Sequence, residues 1–304
     1  MKVLFFVGKG GVGKSTSSAL FALKLARGGR SVFLNSIDPA HNLHDIFRAP
    51  LEARPREIVP GLLAAETDLA AWVKRYLQET EREFKSIYRY QESFNLHRYF
   101  RTLRYSPGLE EYAVLLALQD TIRKHGDRDY IVFDTPPTAL TLKFLALPRV
   151  SLLWLNELSG LRRAILRKKE IITRIKRGRG EPEREGDPIL SRIDSLIEKY
   201  RGFSSILQDT QRTRLFIVLN RDRLSLAESA TIWKELDQLE LPKPTVILNR
   251  YERKAGSPTD GEFRATLKKQ FPGAPILLLE RQPQEVVGVD RLDAIDLPMD
   301  IEEL

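Results

Sequence analysis

The sequence predicts an α/β fold: a doubly wound, mostly parallel sheet with an inserted helical subdomain. Short apolar runs alternate with helix-prone segments, the first run leads through a glycine-rich turn into an Ala- and Leu-rich segment, and two long amphipathic stretches interrupt the alternation. Strands that alternate with helices are typical of parallel sheets covered on both faces. We expect a single domain over 1–304, because an insertion of this kind accounts for the length beyond an average domain.

Each strand and helix is predicted from its local pattern. Short, continuous apolar runs are typical of strands buried on both faces, and these runs occupy 3–7, 31–35, 62–65, 129–133, 215–219, 245–248 and 276–279. Helices are predicted between them at 17–27, 110–124, 140–147, 226–239 and 261–270. We expect Pro148 to end the helix that precedes it, because proline lacks the N–H group that a helix interior requires.

Two long helical stretches make up the insertion, and we place the helical subdomain at about 67–125 and 150–210. The first stretch, from Asp68 to Tyr105, is rich in aromatic residues. Ordinary packing within the insertion explains them, and a groove for a hydrophobic client is the alternative interpretation. The second stretch, from Leu152 to Leu207, is interrupted at 178–188 by Gly, Pro and Glu residues, which predict a loop.

The segment from Gly160 to Gly180 is strongly basic and amphipathic. It carries nine Lys or Arg residues and one Glu, and Leu161, Ile165, Ile172 and Ile175 recur at near-helical spacing. Two interpretations stay open. The segment could bind anionic lipid headgroups or an acidic receptor, or it could be a solvated face that the acidic loop after it neutralises.

Composition sets limits on the chemistry and on the partners. Cysteine is absent, which excludes disulfides, thiolate zinc sites, iron–sulfur clusters and cysteine nucleophiles. The net charge of +8 and the pI of about 9.6 favour acidic partners such as anionic lipid or nucleic acid. We see no stretch that approaches the roughly eighteen apolar residues of a membrane span, and no charged-then-apolar signal at the N-terminus. We therefore expect a cytoplasmic protein without an integral membrane segment.

The segment from Gly8 to Thr16 reads GKGGVGKST and matches the phosphate-binding loop pattern G-x-x-x-x-G-K-[ST]. In such a loop, backbone N–H groups cradle phosphates, the lysine reaches the β- and γ-phosphate oxygens, and the Ser or Thr hydroxyl binds Mg²⁺. The N-terminus of the helix that follows adds to this anion site. The motif predicts binding of a nucleoside triphosphate with Mg²⁺ at Gly10, Gly11, Val12, Gly13, Lys14, Ser15 and Thr16.

Lys9 places a second lysine at the front of this loop, where it cannot easily reach the phosphates that Lys14 contacts. The K-G-G-x-G-K-[ST] pattern resembles the deviant Walker A motif of the P-loop family that includes MinD, ParA, nitrogenase iron protein and ArsA. SIDPAHNLHDIF at 36–47 and FDTPPTALTLKFLALP at 133–148 resemble the two switch segments of the ArsA and tail-anchored-protein targeting ATPases. The resemblance implies a Mg²⁺-dependent ATPase that works as a nucleotide-sandwich homodimer and couples ATP hydrolysis to a hydrophobic or transmembrane-helix client.

The resemblance also implies roles for single residues. Asp38 would position the attacking water, Lys14 would bind the β- and γ-phosphates, and Lys9 would contact the nucleotide of the partner subunit. Ser15 would be a Mg²⁺ ligand, and Asp134 would bind the same ion through water. A helix cap is the alternative role for Asp134.

Two asparagines are further candidates for nucleotide binding. Asn42 would face the nucleotide, and Asn249, which follows a core strand, would read the adenine edge, because a side-chain amide both donates and accepts hydrogen bonds. A turn residue at the end of the strand is the alternative for Asn249. His41 lies in the first switch segment, where we interpret it as a structural loop residue.

Departures from the family leave other functions open. Ala139-Leu140-Thr141 stands where the family has Gly-His-Thr, and the lack of thiols argues against arsenite coordination. Methionine occurs only at positions 1 and 299, so a client groove would need Leu and aromatic residues instead. One alternative is a nucleotide-gated regulatory or scaffold module of a transport or stress system with little turnover. A ParA-like DNA-positioning ATPase ranks third, because the bulky helical insertions disfavour a nucleic acid partner.

Overall fold

The computed structural model describes residues 1–40, 42–87, 106, 108–177, 187–252, 258–297 and 299. The described residues form one sheet of eight strands in the order β3-β4-β2-β5-β1-β6-β7-β8. The strands are β1 Lys2–Val7, β2 Val32–Ser36, β3 Arg56–Val59, β4 Leu62–Glu66, β5 Tyr130–Asp134, β6 Thr213–Leu219, β7 Thr245–Tyr251 and β8 Ile276–Glu280. All neighbouring strands pair in parallel except β3, which is antiparallel to β4. The predicted α/β fold with a mostly parallel sheet is confirmed.

Helices cover both faces of the sheet. They are α1 Lys14–Arg27, α2 Leu43–Phe47, α3 Leu69–Ile87, α4 Leu109–Lys124, α5 Thr138–Arg177, α6 Pro188–Gln208, α7 Arg223–Gln238, α8 Pro258–Gln270 and α9 Val289–Asp293. Successive side chains of a strand point to opposite faces, so Phe6 of β1 packs on the side of α1 while Phe5 packs on the side of α4 and α6. A smaller cluster joins β7 to α8 through Leu267 and Phe271. The carboxyl ends of β1, β2 and β5 are held together at one edge of this core.

The structure corrects the predicted helix end at Pro148. Helix α5 begins at Thr138 and continues through Pro148 as one helix of 40 residues. Proline removes a single backbone hydrogen bond, to the carbonyl of Phe144, and the surrounding turns can compensate when packing holds them. Phe144 and Leu145 are buried in the core directly before Pro148, and Pro148 itself is buried.

Helix α5 also corrects the expectation that no segment resembles a membrane span. Among the described residues, Thr138–Ile172 is long and apolar enough to cross a membrane by length and composition alone. Lys143 and Arg149 are the two charged residues among its first eighteen. Such a helix can equally belong to the core of a protein, and here its first turns pack against the sheet.

The described residues in the ranges predicted for the insertion belong to α3, α4, α5 and α6, and their grouping into a subdomain stays a prediction. Tyr76 of α3 packs edge-on against Tyr112 of α4, with ring centroids 4.7 Å apart, which is the ordinary packing expected for these aromatics. The aromatic residues between positions 88 and 105, His41 and residues 178–186 of the predicted 178–188 loop lie outside the described residues. The last two residues of that loop are the N-cap Asp187 and the first residue of α6, Pro188.

Candidate functional site

The phosphate-binding loop connects β1 to α1 and depends on glycines at two positions. Gly13 precedes α1 with φ of 97°, a conformation that L-residues rarely adopt. A Cβ atom on Gly13 would overlap the Nδ2 atom of Asn249, and a Cβ atom on Gly8 would overlap the carbonyl oxygen of Val218. The loop therefore lies too close to β6 and β7 to accept side chains at these positions.

Lys14 lies inside the loop and is almost fully buried, with 5% of its surface exposed. Its Nζ atom donates to the carbonyl oxygen of Lys9 at 3.3 Å. Burial lowers the pKa of the Lys14 ammonium, and the nearby carboxylates of Asp134, Asp38 and Glu228 oppose that change. The loop thus carries a buried ammonium group whose desolvation a phosphate could offset.

Asp134 ends β5 beside this lysine and is completely buried. Its Oδ2 atom accepts a hydrogen bond from the Ser36 hydroxyl at 3.0 Å, whereas Oδ1 has no partner among the described residues. Burial raises the pKa of Asp134 to about 7, and Asp38 adds to this rise, while the hydroxyls of Ser15 and Ser36 and the ammonium of Lys14 oppose it. A positive charge placed next to this carboxylate would remove most of that penalty.

Asp38 lies in the loop that follows β2 and is also buried. Its Oδ1 atom accepts a hydrogen bond from the backbone N–H of Ala40 at 3.0 Å, and its own N–H donates to the hydroxyl of Ser36 at 3.3 Å. The Ser36 hydroxyl therefore connects the two aspartates. The sequence did not single out this role for Ser36, since it depends on β2 and β5 being neighbours in the sheet.

These groups surround one cleft of about 750 Å³, a size suited to a nucleotide. Lys14, Ser15 and Asp38 line its inner end, and Asn42, which directly precedes α2, lines it as well. The segment that follows β8, at 281–287, also lines the cleft. The predicted phosphate and switch residues are therefore brought together at the carboxyl ends of the strands, where ligands bind in this class of fold.

Lys9 and Val12 differ from their neighbours in the loop. In the described part of the chain, neither lines the cleft. Lys9 is half-buried, and Val12 is buried with its carbonyl oxygen accepting a hydrogen bond from Asn249 Nδ2 at 2.8 Å. Val12 thus connects the phosphate-binding loop to β7 through this hydrogen bond.

Asn249 lies on β7, five residues into the strand, and it lines the cleft. The hydrogen bond to Val12 commits one proton of its side-chain amide to the phosphate-binding loop. The structure therefore gives Asn249 a role in positioning the loop, whereas its contact with adenine stays a prediction.

Glu228 is a charged group near the site that the sequence did not reveal. It belongs to α7, and its Oε1 atom accepts a hydrogen bond from the Thr138 hydroxyl at 2.6 Å. Thr138 is the first residue of α5, so this bond fixes the start of α5 next to the loop after Asp134. No local pattern marks Glu228, since both the bond to Thr138 and the proximity to Lys14 join segments distant in sequence.

The donor set suits a magnesium ion carried by nucleotide phosphates. Ser15 supplies a hydroxyl, and the unpartnered Oδ1 atom of Asp134 supplies a buried acceptor for a metal-bound water. Among the described residues, no group of three or more His, Asp or Glu side chains could hold a metal ion. A magnesium ion bound by one hydroxyl, phosphate oxygens and water needs no such group.

The fold and this cleft define a nucleotide-binding protein of the P-loop class. Sequence comparison gives the family: residues 1–299 match the ArsA family, described as "Anion-transporting ATPase". The chain belongs to the ArsA family of ATPases, and it is an ATP hydrolase.

Relatives within this family carry two kinds of name. The chain is 29% identical over 301 residues to "Putative arsenical pump-driving ATPase 2" of Aquifex aeolicus, and the matched region covers 96% of this chain and 97% of the relative. It is 27% identical over 309 residues to "ATPase GET3" of Mycosarcoma maydis, covering 96% of this chain and 88% of the relative. It is 30% identical over 258 residues to "ATPase ARSA2" of Chlamydomonas reinhardtii, covering 82% and 68%. The predicted resemblance to the ArsA family is confirmed, and relatives named GET3 stand beside those named for arsenical pumps.

Proposed function

We propose that this ATPase works in the cytoplasm as a nucleotide-sandwich homodimer that binds ATP and Mg²⁺ and uses the ATP cycle to hold and release a hydrophobic segment of a membrane-protein client. The observation that carries the proposal is the continuity of α5. This helix starts four residues beyond Asp134 at the nucleotide cleft and extends to a row of exposed apolar side chains.

The exposed row lies on one side of α5, in its part beyond Pro148. We call it the apolar stripe, and it consists of Val150, Leu153, Trp154 and Leu158. Leu153 is 64% exposed and Trp154 is 67% exposed, in a helix whose opposite side packs on α6. Contiguous exposed apolar surface of this kind marks a binding site for another apolar surface. A transmembrane helix kept out of water is a partner with that chemistry.

The cleft supports the hydrolytic part of the proposal. Lys14 and the backbone of the loop would bind the phosphates, Ser15 and Asp134 would hold Mg²⁺ and its water, and Asp38 would position the attacking water. When bound, Mg²⁺ would neutralise charge on the phosphates. Asp38 and Asp134 both hydrogen-bond to Ser36, so a change at the γ-phosphate would reach the two segments that follow β2 and β5 together.

Two features support a homodimer. The sequence has one phosphate-binding loop motif, at 8–16, so a sandwich of two nucleotides needs two chains. Lys9 lies outside the lining of its own cleft in the part of the chain that the structure describes. Its ammonium group would be available to a nucleotide in the partner subunit, as the resemblance to the family implies.

Capture of a client by a hydrolysis-deficient protein tests the proposal. Asp38→Asn should bind ATP without turnover, and with Mg²⁺ and ATP it should co-purify as a soluble dimer with a co-expressed C-terminal transmembrane segment. Adding Leu153→Gln and Trp154→Gln should reduce capture by about tenfold or more, because each lost contact removes buried apolar area. Leu224→Gln is the matched control, since Leu224 is 64% exposed on α7, away from the stripe.

Two results would overturn the proposal. One is equal capture of a segment whose apolar residues have been scrambled with polar ones. The other is capture that survives the changes at Leu153 and Trp154 as well as it survives the change at Leu224. A monomer that binds ATP and hydrolyses it at full rate would remove the homodimer from the proposal and leave the ATPase assignment intact.

A further inference from the structure

The far part of α5 has a different character from the apolar stripe. We call residues 161–177 the basic end of α5. Five of its described apolar side chains are more than two-fifths exposed, and they are Leu161, Ile165, Ile171, Ile172 and Ile175. At 100° per residue these five side chains fall within an arc of about 120°. The basic end therefore presents one arc of exposed apolar side chains to solvent, with Lys168 among them.

Contacts with α6 fix the orientation of this arc. Arg162 lies on the side of α5 that faces α6, and its guanidinium makes two hydrogen bonds to the carboxylate of Asp187, at 2.6 and 3.2 Å. Asp187 also caps α6 by accepting a hydrogen bond from Leu190 N at 2.7 Å. This bidentate pair joins the Arg162 side of the basic end to α6, and the apolar arc lies on a different side of the helix.

Positive charge borders the apolar arc. Between 161 and 177 the sequence has eight Lys or Arg residues and a single acidic residue, Glu170. Arg162 and Arg163 are paired with aspartates of the α6 region. Arg167 lies on the flank of the arc and Lys168 lies within it, and in the described part of the chain neither makes an ion pair. Both side chains are exposed, so their charges are available to a partner.

We propose that the basic end of α5 docks on the surface of an anionic phospholipid bilayer. The helix would lie in the plane of the interface, with its apolar arc at the boundary between headgroups and acyl chains and its Lys and Arg side chains on the anionic headgroups. The purpose of this contact, presenting a client at a membrane, rests on the proposed function. The bilayer contact itself is inferred from the charge and the exposed apolar side chains of the basic end, and it does not depend on the proposed function.

The arrangement fits a bilayer better than it fits the other acidic partner, a nucleic acid. Phosphate backbones attract Lys and Arg, but they offer no counterpart to five exposed Leu and Ile side chains. An interfacial helix uses both features, because anionic lipid binds the charges while the apolar arc leaves water. The 17 residues of the basic end span about 26 Å, enough to contact several headgroups.

Vesicle flotation with the full-length protein tests the proposal. Vesicles of phosphatidylcholine containing about one-third phosphatidylglycerol are compared with vesicles of phosphatidylcholine alone. The wild type should bind the anionic vesicles and not the neutral ones. The double change Arg167→Gln and Lys168→Gln should weaken binding about fivefold for each charge removed. The double change Leu161→Gln and Ile172→Gln should weaken it by about tenfold.

The chain offers matched controls for both variants. Lys268→Gln with Lys269→Gln removes two exposed charges from α8, and Leu224→Gln removes an exposed apolar side chain from α7. The change at Leu224 should leave vesicle binding unchanged. The double change at Lys268 and Lys269 should reduce binding only by the small effect of a lower net charge. Thermal melts of all variants check that the fold is intact, as expected for exposed positions.

Three outcomes would overturn the proposal. Binding that is equal on neutral and anionic vesicles removes the role of the charges. Loss of binding that is as large in the controls as in the α5 variants removes the role of this surface. Binding that depends on Arg167 and Lys168 but not on the apolar residues, and that duplex DNA displaces, identifies a nucleic acid site instead. Client capture in lipid-free solution tests the proposed function separately, so either idea can fail alone.

Discussion

Replacing Asp134 with Asn should make the nucleotide-free protein more stable at alkaline pH. In the folded protein the carboxyl group is fully buried and its pKa is raised from 3.8 to about 7. The folded state therefore holds a proton that the unfolded state has lost between those two pH values, so stability falls as the pH rises through this window. Above pH 7 the folded protein contains a buried carboxylate that the Asn variant lacks.

The size of the effect follows from the two pKa values. The difference between 3.8 and about 7 corresponds to at most about 4 kcal/mol. At about 2 °C per kcal/mol for a chain of this size, the Asp134→Asn variant should melt up to about 8 °C above the wild type at pH 8. At pH 4 both side chains are neutral, so the difference should nearly vanish. With Mg²⁺ and ATP the order should reverse, because only the wild type has the acceptor for the metal-bound water.

Thermal melts in nucleotide-free, chelated buffer between pH 4 and pH 8 provide the measurement. Asp129→Asn is the matched control at the other end of β5. The pKa of Asp129 is lowered by hydrogen bonds from the backbone and side chain of Ser31, so the control should lose stability at pH 8. An Asp134→Asn variant that melts at or below the wild type at pH 8, or by a margin independent of pH, would refute the reasoning.

Two further substitutions test the loop and the buried polar network. Gly13→Ala should abolish ATP binding in a fluorescent-nucleotide titration, because its φ of 97° strains the new residue and its Cβ atom overlaps Asn249; retained affinity would contradict this account. Asn35→Ala should lower stability in urea unfolding by about 1–3 kcal/mol, because the buried amide accepts from the Thr67 hydroxyl at 3.0 Å and donates to Thr121 Oγ1 at 3.1 Å. A change below about 0.5 kcal/mol would show that water replaces the amide.

Local pattern was enough to predict most of the fold. The buried strands are continuous apolar runs, and the phosphate-binding loop is a contiguous motif between a strand and a helix, so both can be recognised within a few residues. Strand β3 was missed because Arg56 and Glu57 are exposed and the strand has no apolar run. The predicted end at Pro148 was wrong because burial of Phe144 and Leu145 holds the helix together across the proline.

The site was predictable in its contiguous parts and not in its long-range contacts. Lys14 and Ser15 belong to a motif, whereas the bridging role of Ser36 requires knowing that β2 and β5 are adjacent. The bond between Glu228 and Thr138 joins positions 90 residues apart. The hydrogen bond from Asn249 to Val12 likewise depends on how closely β7 approaches the loop. Sequence patterns identify which groups can do the chemistry, and the sheet order determines which of them meet.

The length of α5 gives it the mechanics of a lever arm. Beyond Pro148 its last 29 residues extend about 44 Å, so a bend of about 7° at Pro148 displaces the far end by about 5 Å. The short arm is clamped to the core near the nucleotide, and the missing hydrogen bond at Pro148 concentrates bending just beyond that clamp. A rearrangement around the γ-phosphate that is too small to change the cleft visibly would therefore move the distal end of α5 by about 5 Å, which is roughly one helical turn.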